Sequence, residues 1–153
     1  MATTDLRATL RLDLADPEQS LFSDETLTRC LLRGVFVVAR DLGISLSVHG
    51  EEIIPEPAGE VCEFLLLLGR IHACQTMRAQ TANAYAFSSA DKRVDKTKQP
   101  EHWAKLEADL RVEYGQRLAA TRASNTQTGG ARDPVFHAVP PFVPVIYGMD
   151  GET

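Results

Sequence analysis

The segment from about residue 58 to residue 85 carries the longest apolar pattern with helical spacing, and it sets the fold class of the chain. An unbroken helix over this segment would extend about 40 Å. Its apolar residues recur every three or four positions and so share one face. They are Val61, Phe64, Leu65, Leu68 and Ile71. The pattern predicts a mainly α-helical protein.

A second helix, over residues 24–42, has clear signals at both ends. Ser23 is suited to cap its N-terminus, and Gly43 follows its last apolar residue as a stop signal. Apolar residues also occupy its other faces, which indicates a place in the core or at a subunit interface. These residues are Leu32, Phe36 and Val37.

Two further helices are predicted near the ends of this helical region. A short amphipathic helix is expected from Thr3 to about Leu14, although alternating leucines there also allow a strand. The last helix begins near Thr97 or Gln99, accepts Pro100 in its first turn and extends to residue 122. Its predicted core stripe comprises Trp103, Leu106, Leu110, Tyr114 and Leu118.

Short β-hairpins are predicted between the helices. Alternating apolar residues indicate one hairpin within residues 44–54, and the prolines that follow end it because proline cannot donate to a ladder. In a second hairpin, Tyr85 and Phe87 would oppose Val94. The fold expected from these patterns is a small bundle of about four helices with one or two short hairpins.

The chain changes character after residue 123. Residues 1–123 are predicted to form one helical domain, and residues 124–153 a flexible joint, SNTQTGG, followed by an extended arm. Prolines 140, 141 and 144 exclude a helix from the arm, and residues 124–153 could reach roughly 100 Å. Such an apolar arm is expected to bind a partner. The residues assigned to this contact are Val135, Phe136, Val139, Phe142, Val143, Val145, Ile146 and Tyr147.

Composition and charge narrow the possible functions. The 153 residues carry a net charge of −5, whereas a sequence-independent nucleic-acid binder needs a basic surface. Cys30, Cys62 and Cys74 lack the paired spacing of a zinc site and are expected to be buried and reduced in the cytoplasm. Neither a signal peptide nor a membrane-spanning run is expected.

No motif in the sequence indicates an enzyme. His72 and Cys74 are two residues apart, so they would point to different sides of a helix, and a structural role is expected for His72. Glu60 and Glu63 fit the first turn of a helix, where the dipole favours acidic residues. His102 is expected to be solvated or capping. We therefore expect no catalytic residue, cofactor or metal ligand.

A polar, lysine-rich run separates the two long apolar patterns, between Phe87 and Trp103. It is either a solvated loop with weak local ion pairs or a loop that contacts a neighbouring subunit or a passing polyanion. Contact with a neighbouring subunit is the favoured interpretation. The residues concerned are Asp91, Lys92, Arg93, Asp95, Lys96 and Lys98.

Two blocks of the chain resemble the head–tail connector, or adaptor, proteins of long-tailed bacteriophages. The block DLRATLRLDLADPEQSLFSDETLTRCL, from Asp5, is similar to that family's amphipathic first helix, D-x-x-D-P turn and capped second helix. The block VDKTKQPEHWAKLEADLRVEY, from Val94, is similar to its polar loop and last long helix. The similarity spans roughly residues 5 to 115.

The resemblance implies a helical bundle that assembles as a ring of about twelve copies beneath the portal of the phage head. It implies virion proteins as partners: the portal on one side, and a neck, stopper or tail-terminator protein on the other. DNA would pass through the channel without specific binding, because the subunit is acidic. Assembly would take place in the host cytoplasm, with no membrane partner.

Two other functions remain open. The first is a helix-turn-helix regulator in which residues 3–42 read DNA through Arg29, Arg33 and Arg40. The second is a small hydrolase without a recognisable motif. Tight, salt-sensitive duplex binding would favour the first, and substrate turnover would favour the second.

Overall fold

A computed structural model describes residues 1–82, 86–89, 92–95 and 98–128, with side chains described for residues 1–82 and 98–124. Four helices dominate this part of the chain, in agreement with the predicted fold class: α1 (Thr3–Asp13), α2 (Asp24–Leu42), α3 (Glu60–Gln80) and α4 (Gln99–Thr128). Two antiparallel hairpins lie between them: β1 (Ser47–His49) with β2 (Glu52–Ile54), and β3 (Ala86–Ser89) with β4 (Lys92–Asp95).

Helix α3 lies at the centre of the bundle. Its residues 64–68 form an unbroken apolar run, and all of them are buried. A helix that is apolar around its whole circumference needs cover on several sides. Helices α2 and α4 pack extensively against α3, and α1 packs against both α2 and α3.

The bounds of α3 are narrower than the sequence predicts. The helix covers Glu60–Gln80, about 31 Å, instead of residues 58–85. Gly59 precedes it with a φ of 52° and a ψ of −128°, a conformation that glycine adopts readily and that keeps this residue out of the helix. At the other end, the Thr81 hydroxyl donates to the Met77 carbonyl at 2.7 Å. Residues 83–85 lie outside the described residues.

Helix α2 has the bounds and the caps that the sequence predicts. The Ser23 hydroxyl oxygen accepts a hydrogen bond from the Thr26 N–H at 3.2 Å. Gly43 adopts a left-handed conformation at φ 66°, and its N–H donates to the Arg40 carbonyl. Helix α1 is confirmed as a helix, so the alternative of a strand is wrong.

The predicted core stripe of α4 is wrong at one position. Leu110 is buried, and Trp103, Tyr114 and Leu118 pack partly buried against the core, but Leu106 is 39% exposed. The neighbouring Glu107 takes the buried position instead. Three polar side chains donate hydrogen bonds to its carboxylate there, so this charged group can be buried.

Helix α4 also continues past the predicted start of the flexible joint. It extends through Thr128, so the residues of the joint up to that point are helical. The Ser124 hydroxyl donates to the Ala120 carbonyl at 3.1 Å, which accommodates this polar side chain within the helix. The remainder of the joint and the whole arm, residues 129–153, lie outside the described residues.

Two glycines allow close contact around α3. A Cβ atom on Gly34 of α2 would lie 3.1 Å from the Leu68 Cβ. A Cβ atom on Gly69 of α3 would lie 3.0 Å from the Leu10 Cδ2 and 3.2 Å from the Leu31 Cδ2. The absence of a side chain at these two positions therefore sets how closely α1, α2 and α3 approach one another.

Both predicted hairpins form. The first is shorter than the predicted 44–54, and in it Val48 pairs with Ile53, whose side chain is buried. In the second, Phe87 pairs with Val94 as predicted, whereas Tyr85 lies outside the described residues. Among the helices described, none is long and apolar enough to cross a membrane.

Candidate interaction surface

The turn after α1 is organised around the buried carboxylate of Asp16. One oxygen accepts hydrogen bonds from the Ser20 N–H at 2.7 Å, the Ser20 hydroxyl at 2.8 Å and the Leu21 N–H at 3.1 Å. The other accepts from the Phe22 N–H at 2.9 Å. Burial alone would raise the pKa of Asp16, but these hydrogen bonds hold it below its ordinary value.

Arg11 of α1 also contacts this turn. Its guanidinium contacts the Asp16 carboxylate at 3.2 Å and the Asp24 carboxylate at 2.7 Å, and it donates to the Phe22 carbonyl at 2.9 Å. The side chain is buried. Arg11 therefore ties α1 to the start of α2, and the D-x-x-D-P turn is held by side chains within the fold.

A second buried carboxylate, that of Glu107, joins α3 to α4. It accepts hydrogen bonds from Gln75 at 3.0 Å, Arg78 at 2.9 Å and Arg111 at 2.8 Å. Burial alone would raise the pKa of Glu107, but the hydrogen bonds from Gln75 and Arg111 hold it below its ordinary value. No sequence pattern indicates this cluster, because Gln75 and Arg78 precede Glu107 by 32 and 29 residues.

His72 has a structural contact, as the sequence predicts. Its Nδ1 lies 3.0 Å from the Cys30 carbonyl oxygen, which can only accept. Nδ1 therefore carries the proton, and Nε2 is the hydrogen-bond acceptor of the neutral ring. Burial lowers the pKa of His72, which favours this neutral form.

The three cysteines are free and buried, in agreement with the sequence. Burial raises the pKa of each thiol, and that of Cys74 reaches about 11. Within the residues described, no three His, Cys, Asp or Glu side chains are grouped so that they could hold a metal ion.

An open groove of about 750 Å³ lies between α2, the first hairpin and α3, and we refer to it as the α2 groove. Phe36 is 67% exposed in it. One face of α2 thus belongs to the core, as predicted, while another face is exposed. The predicted role at a subunit interface stays a prediction. The apolar side chains that line the groove, together with His72, are Leu32, Phe36, Val37 and Val48.

Charged side chains of both signs border the α2 groove. Arg29 and Arg33 lie along α2, with Glu25 on the same helix and Glu51 in the hairpin turn. Arg29 forms an exposed ion pair with Glu25 at 3.7 Å. Among the side chains that the structure describes, Arg33 makes no ion pair. Within the described part of the chain, Arg33 therefore stays available to an acidic partner beside the apolar wall of the groove.

Other helices also present exposed apolar side chains. Leu12 on α1 is 69% exposed, and Val112 on α4 is 60% exposed. Each of these helices packs on α3 through its other face. Large apolar side chains thus face outward from α1, α2 and α4.

The predicted loop contact is only partly described. Lys92, Arg93 and Asp95 belong to strand β4, whereas Asp91 and Lys96 lie outside the described residues. Lys98 is exposed immediately before α4. The predicted arm contact, from Val135 to Tyr147, also lies outside the described residues.

The remaining predicted positions have ordinary structural surroundings. Glu60 accepts a hydrogen bond from the Thr121 hydroxyl, and Glu63 lies 3.6 Å from the Arg117 guanidinium, so both link α3 to α4. His102 is exposed in the first turn of α4. None of these contacts brings a base next to a nucleophile.

The connection between α1 and α2 differs in length from that of a DNA-binding helix-turn-helix motif. The two helices are joined by residues 14–23, a longer connection than the turn of about 3–4 residues in a helix-turn-helix motif. Arg29, Arg33 and Arg40 are exposed on α2, and Arg40 pairs with Asp41 at 3.0 Å.

Comparison with known proteins identifies no relative. No family model matches the chain, and neither the curated proteins nor the solved structures contain a significant match. The sequence resemblance, the fold and the exposed surfaces are therefore the grounds for a functional proposal.

Proposed function

We propose that this chain is a structural subunit of a bacteriophage virion, an adaptor that forms a ring of about twelve copies between the portal of the head and the neck or tail. The portal would bind one side of the ring. A stopper or tail-terminator protein would bind the other, and DNA would pass through the channel.

The observation that carries this proposal is the structural role of residues in the block from Asp5, which resembles the first two helices of the adaptor family. Asp16 of the D-x-x-D-P turn accepts four hydrogen bonds from the segment that leads into α2, and Ser23 caps α2. These polar residues have specific structural roles, so the positions that carry the resemblance are positions that determine the local fold.

The distribution of exposed apolar side chains adds support. A closed ring needs a heterologous interface, in which each subunit shows one surface to the preceding copy and a different surface to the next. Single exposed apolar residues are common, but here they occur on several helices around α3, including Leu12 and Val112. Such a subunit has apolar contacts to offer in more than one direction.

Net charge is compatible with a DNA channel. At −5, the subunit would give a ring of copies a large negative charge, and like charges keep DNA from adhering to the wall.

Electron microscopy of the full chain mixed with portal complexes tests the proposal. We expect rings stacked coaxially on the portal. A chain that stays monomeric with the portal, or that binds it without forming a ring, contradicts the proposed function.

A variant on α4 tests the contact between copies. Val112→Asp should reduce ring formation at least tenfold, since it places a charge in an apolar contact, while helix content by circular dichroism stays unchanged. Ala120→Asp adds the same charge to another exposed position of α4 and serves as the matched control. Equal ring formation by both variants would exclude Val112 from the interface.

A DNA-binding regulator is the second candidate, and the exposed arginines Arg29, Arg33 and Arg40 are the observation in its favour. A gel-shift titration at low salt distinguishes the two candidates. Specific duplex binding that weakens steeply with salt would support the regulator over the adaptor.

A further inference from the structure

The α2 groove is an apolar surface that the described residues leave open. Its volume of about 750 Å³ accommodates several large side chains, and Phe36 is two-thirds exposed within it. The groove also has two polar features. These are the His72 ring, whose Nε2 is the acceptor of the neutral form, and Arg33, which makes no ion pair with a described side chain. Arg29, Glu25 and Glu51 also border the groove, and together these groups restrict which segment fits.

The end of α4, which precedes the arm in the chain, lies close to α2. Arg122 of α4 donates to the Asp41 carbonyl at 3.1 Å, so this end of α4 lies beside the C-terminal end of α2. Only residues 123–128, about 9 Å of helix, separate Arg122 from residue 129, where the remainder of the joint and then the arm follow. Residues 129–147 can extend about 60 Å, whereas the whole of α2 measures about 29 Å. The arm therefore has ample length to reach the groove of its own chain.

The sequence of the arm matches the chemistry of the groove. Phe142 and Ile146 are apolar, and Tyr147 adds an aromatic ring whose hydroxyl can donate to an acceptor such as Nε2 of His72. The acidic residues Asp150 and Glu152 follow within five positions. Residues 142–152 thus combine apolar side chains, one side-chain donor and two acidic groups, and the groove offers an apolar wall, the His72 ring and two arginines.

We propose that residues 142–152 occupy the α2 groove of their own chain in the free subunit. Tyr147 lies against Phe36 and donates to His72, while Asp150 and Glu152 lie near Arg29 and Arg33. Tethering gives the arm an effective concentration on the order of millimolar, so at low protein concentration it competes successfully with the arm of another copy. A partner that binds the arm must first displace it, which restricts assembly to sites where that partner is present.

Photo-crosslinking locates the arm directly. The full chain carrying p-benzoylphenylalanine in place of Tyr147 is irradiated at about 1 μM, where contacts between copies are rare. We expect a product of monomeric mass with the crosslink on residues 32–37 of α2. A crosslinked dimer would assign the groove to a second copy, and a crosslink elsewhere or none would also overturn the proposal.

Proteolysis supplies an independent test in the full chain. Chymotrypsin should cleave after Tyr147 at least tenfold faster in Phe36→Asp than in the unmodified protein, because the arm is released. Leu12→Asp is the matched control, since it introduces the same charge at an equally exposed apolar position outside the groove. Equal cleavage of the unmodified protein and Phe36→Asp overturns the proposal.

A third variant tests the proposed hydrogen bond from Tyr147 to His72. Tyr147→Phe keeps the ring and the cleavage site but removes the donor, so cleavage at this position should become about fivefold faster. An unchanged rate would exclude the hydroxyl contact. All three measurements use the free subunit, so they are independent of whether the chain forms a ring on a portal.

Discussion

At the scale of single residues, buried carboxylates determine how the helices are joined. Asp16 accepts N–H and O–H donors from the segment leading to α2, and Glu107 accepts side-chain donors from α3 and α4. Breaking such a cluster leaves buried donors without a partner, which costs more than the net gain of a typical hydrogen bond. The two carboxylates therefore specify the geometry of the junctions in which they lie.

Asp16→Asn should lower stability at neutral pH. The folded-state pKa of Asp16 is below its ordinary value, so the carboxylate contributes stability above the unfolded pKa of about 3.9. That contribution is lost as pH falls through the folded-state pKa. We expect the unfolding free energies of the two proteins, measured by urea titration, to differ most at pH 7. The difference should become smaller below pH 4.

The control for this prediction lies in the same turn. Asp13 is exposed at the end of α1, so Asp13→Asn should change stability by less than about 0.5 kcal/mol at any pH. A difference for Asp16→Asn that stays constant from pH 7 to pH 3 would contradict the assigned role of its charge.

At the scale of the elements, close packing depends on two glycines with little free space. The Leu68 Cβ near Gly34 is fixed to the α3 backbone, so it cannot rotate away from an added methyl group. The leucine methyl groups near Gly69 have more freedom, but they belong to buried side chains. The separation of the helices is thus sensitive to a single added methyl group.

Gly34→Ala should destabilise the protein by about 1–3 kcal/mol because the new Cβ overpacks the contact with Leu68. Gly115→Ala should instead stabilise it by about 0.5–1 kcal/mol, since Gly115 is exposed in α4 with open space around it and alanine favours the helix. Chemical denaturation of both variants measures the two effects, and a stabilised Gly34→Ala would mean that α2 and α3 can separate without cost.

Ser23→Ala tests the capping of α2. We expect a loss of about 1 kcal/mol, because the Thr26 N–H loses its side-chain acceptor. Thermal unfolding followed by circular dichroism gives the change in Tm. An unchanged Tm would show that water replaces the serine hydroxyl at no cost.

Local signals in the sequence account for much of the fold. Ser23 and Gly43 mark the bounds of α2, and the alternation near Val48 indicates the first hairpin, since both depend on residues close together in the chain. The burial of Glu107 in place of Leu106 could not be predicted, because it depends on donors that α3 contributes across the bundle. The groove likewise requires the placement of β1 and α3 beside α2.

At the scale of the whole molecule, α3 makes the bundle one cooperative unit. Helices α1, α2 and α4 all pack against it, and buried side chains from each of them belong to one continuous core. Removing any outer helix would expose apolar surface of α3, so no outer helix is expected to unfold alone at low cost.

Unfolding should therefore be a single transition. Trp103, the one tryptophan of the sequence, packs partly buried against the core near the start of α4. Its fluorescence should change at the same urea concentration as the helix signal in circular dichroism. Two separate midpoints would show that α4 detaches before the rest of the bundle.

The burial of the three cysteines has a practical consequence for spectroscopy. Their raised pKa values keep the thiols protonated at neutral pH, and the fold shields them from reagents. A cysteine introduced at an exposed position would therefore react selectively without removal of the native ones. Paired labels, one on the outer surface of α4 and one on the arm, would then report distances by energy transfer in a chain whose interior is unchanged.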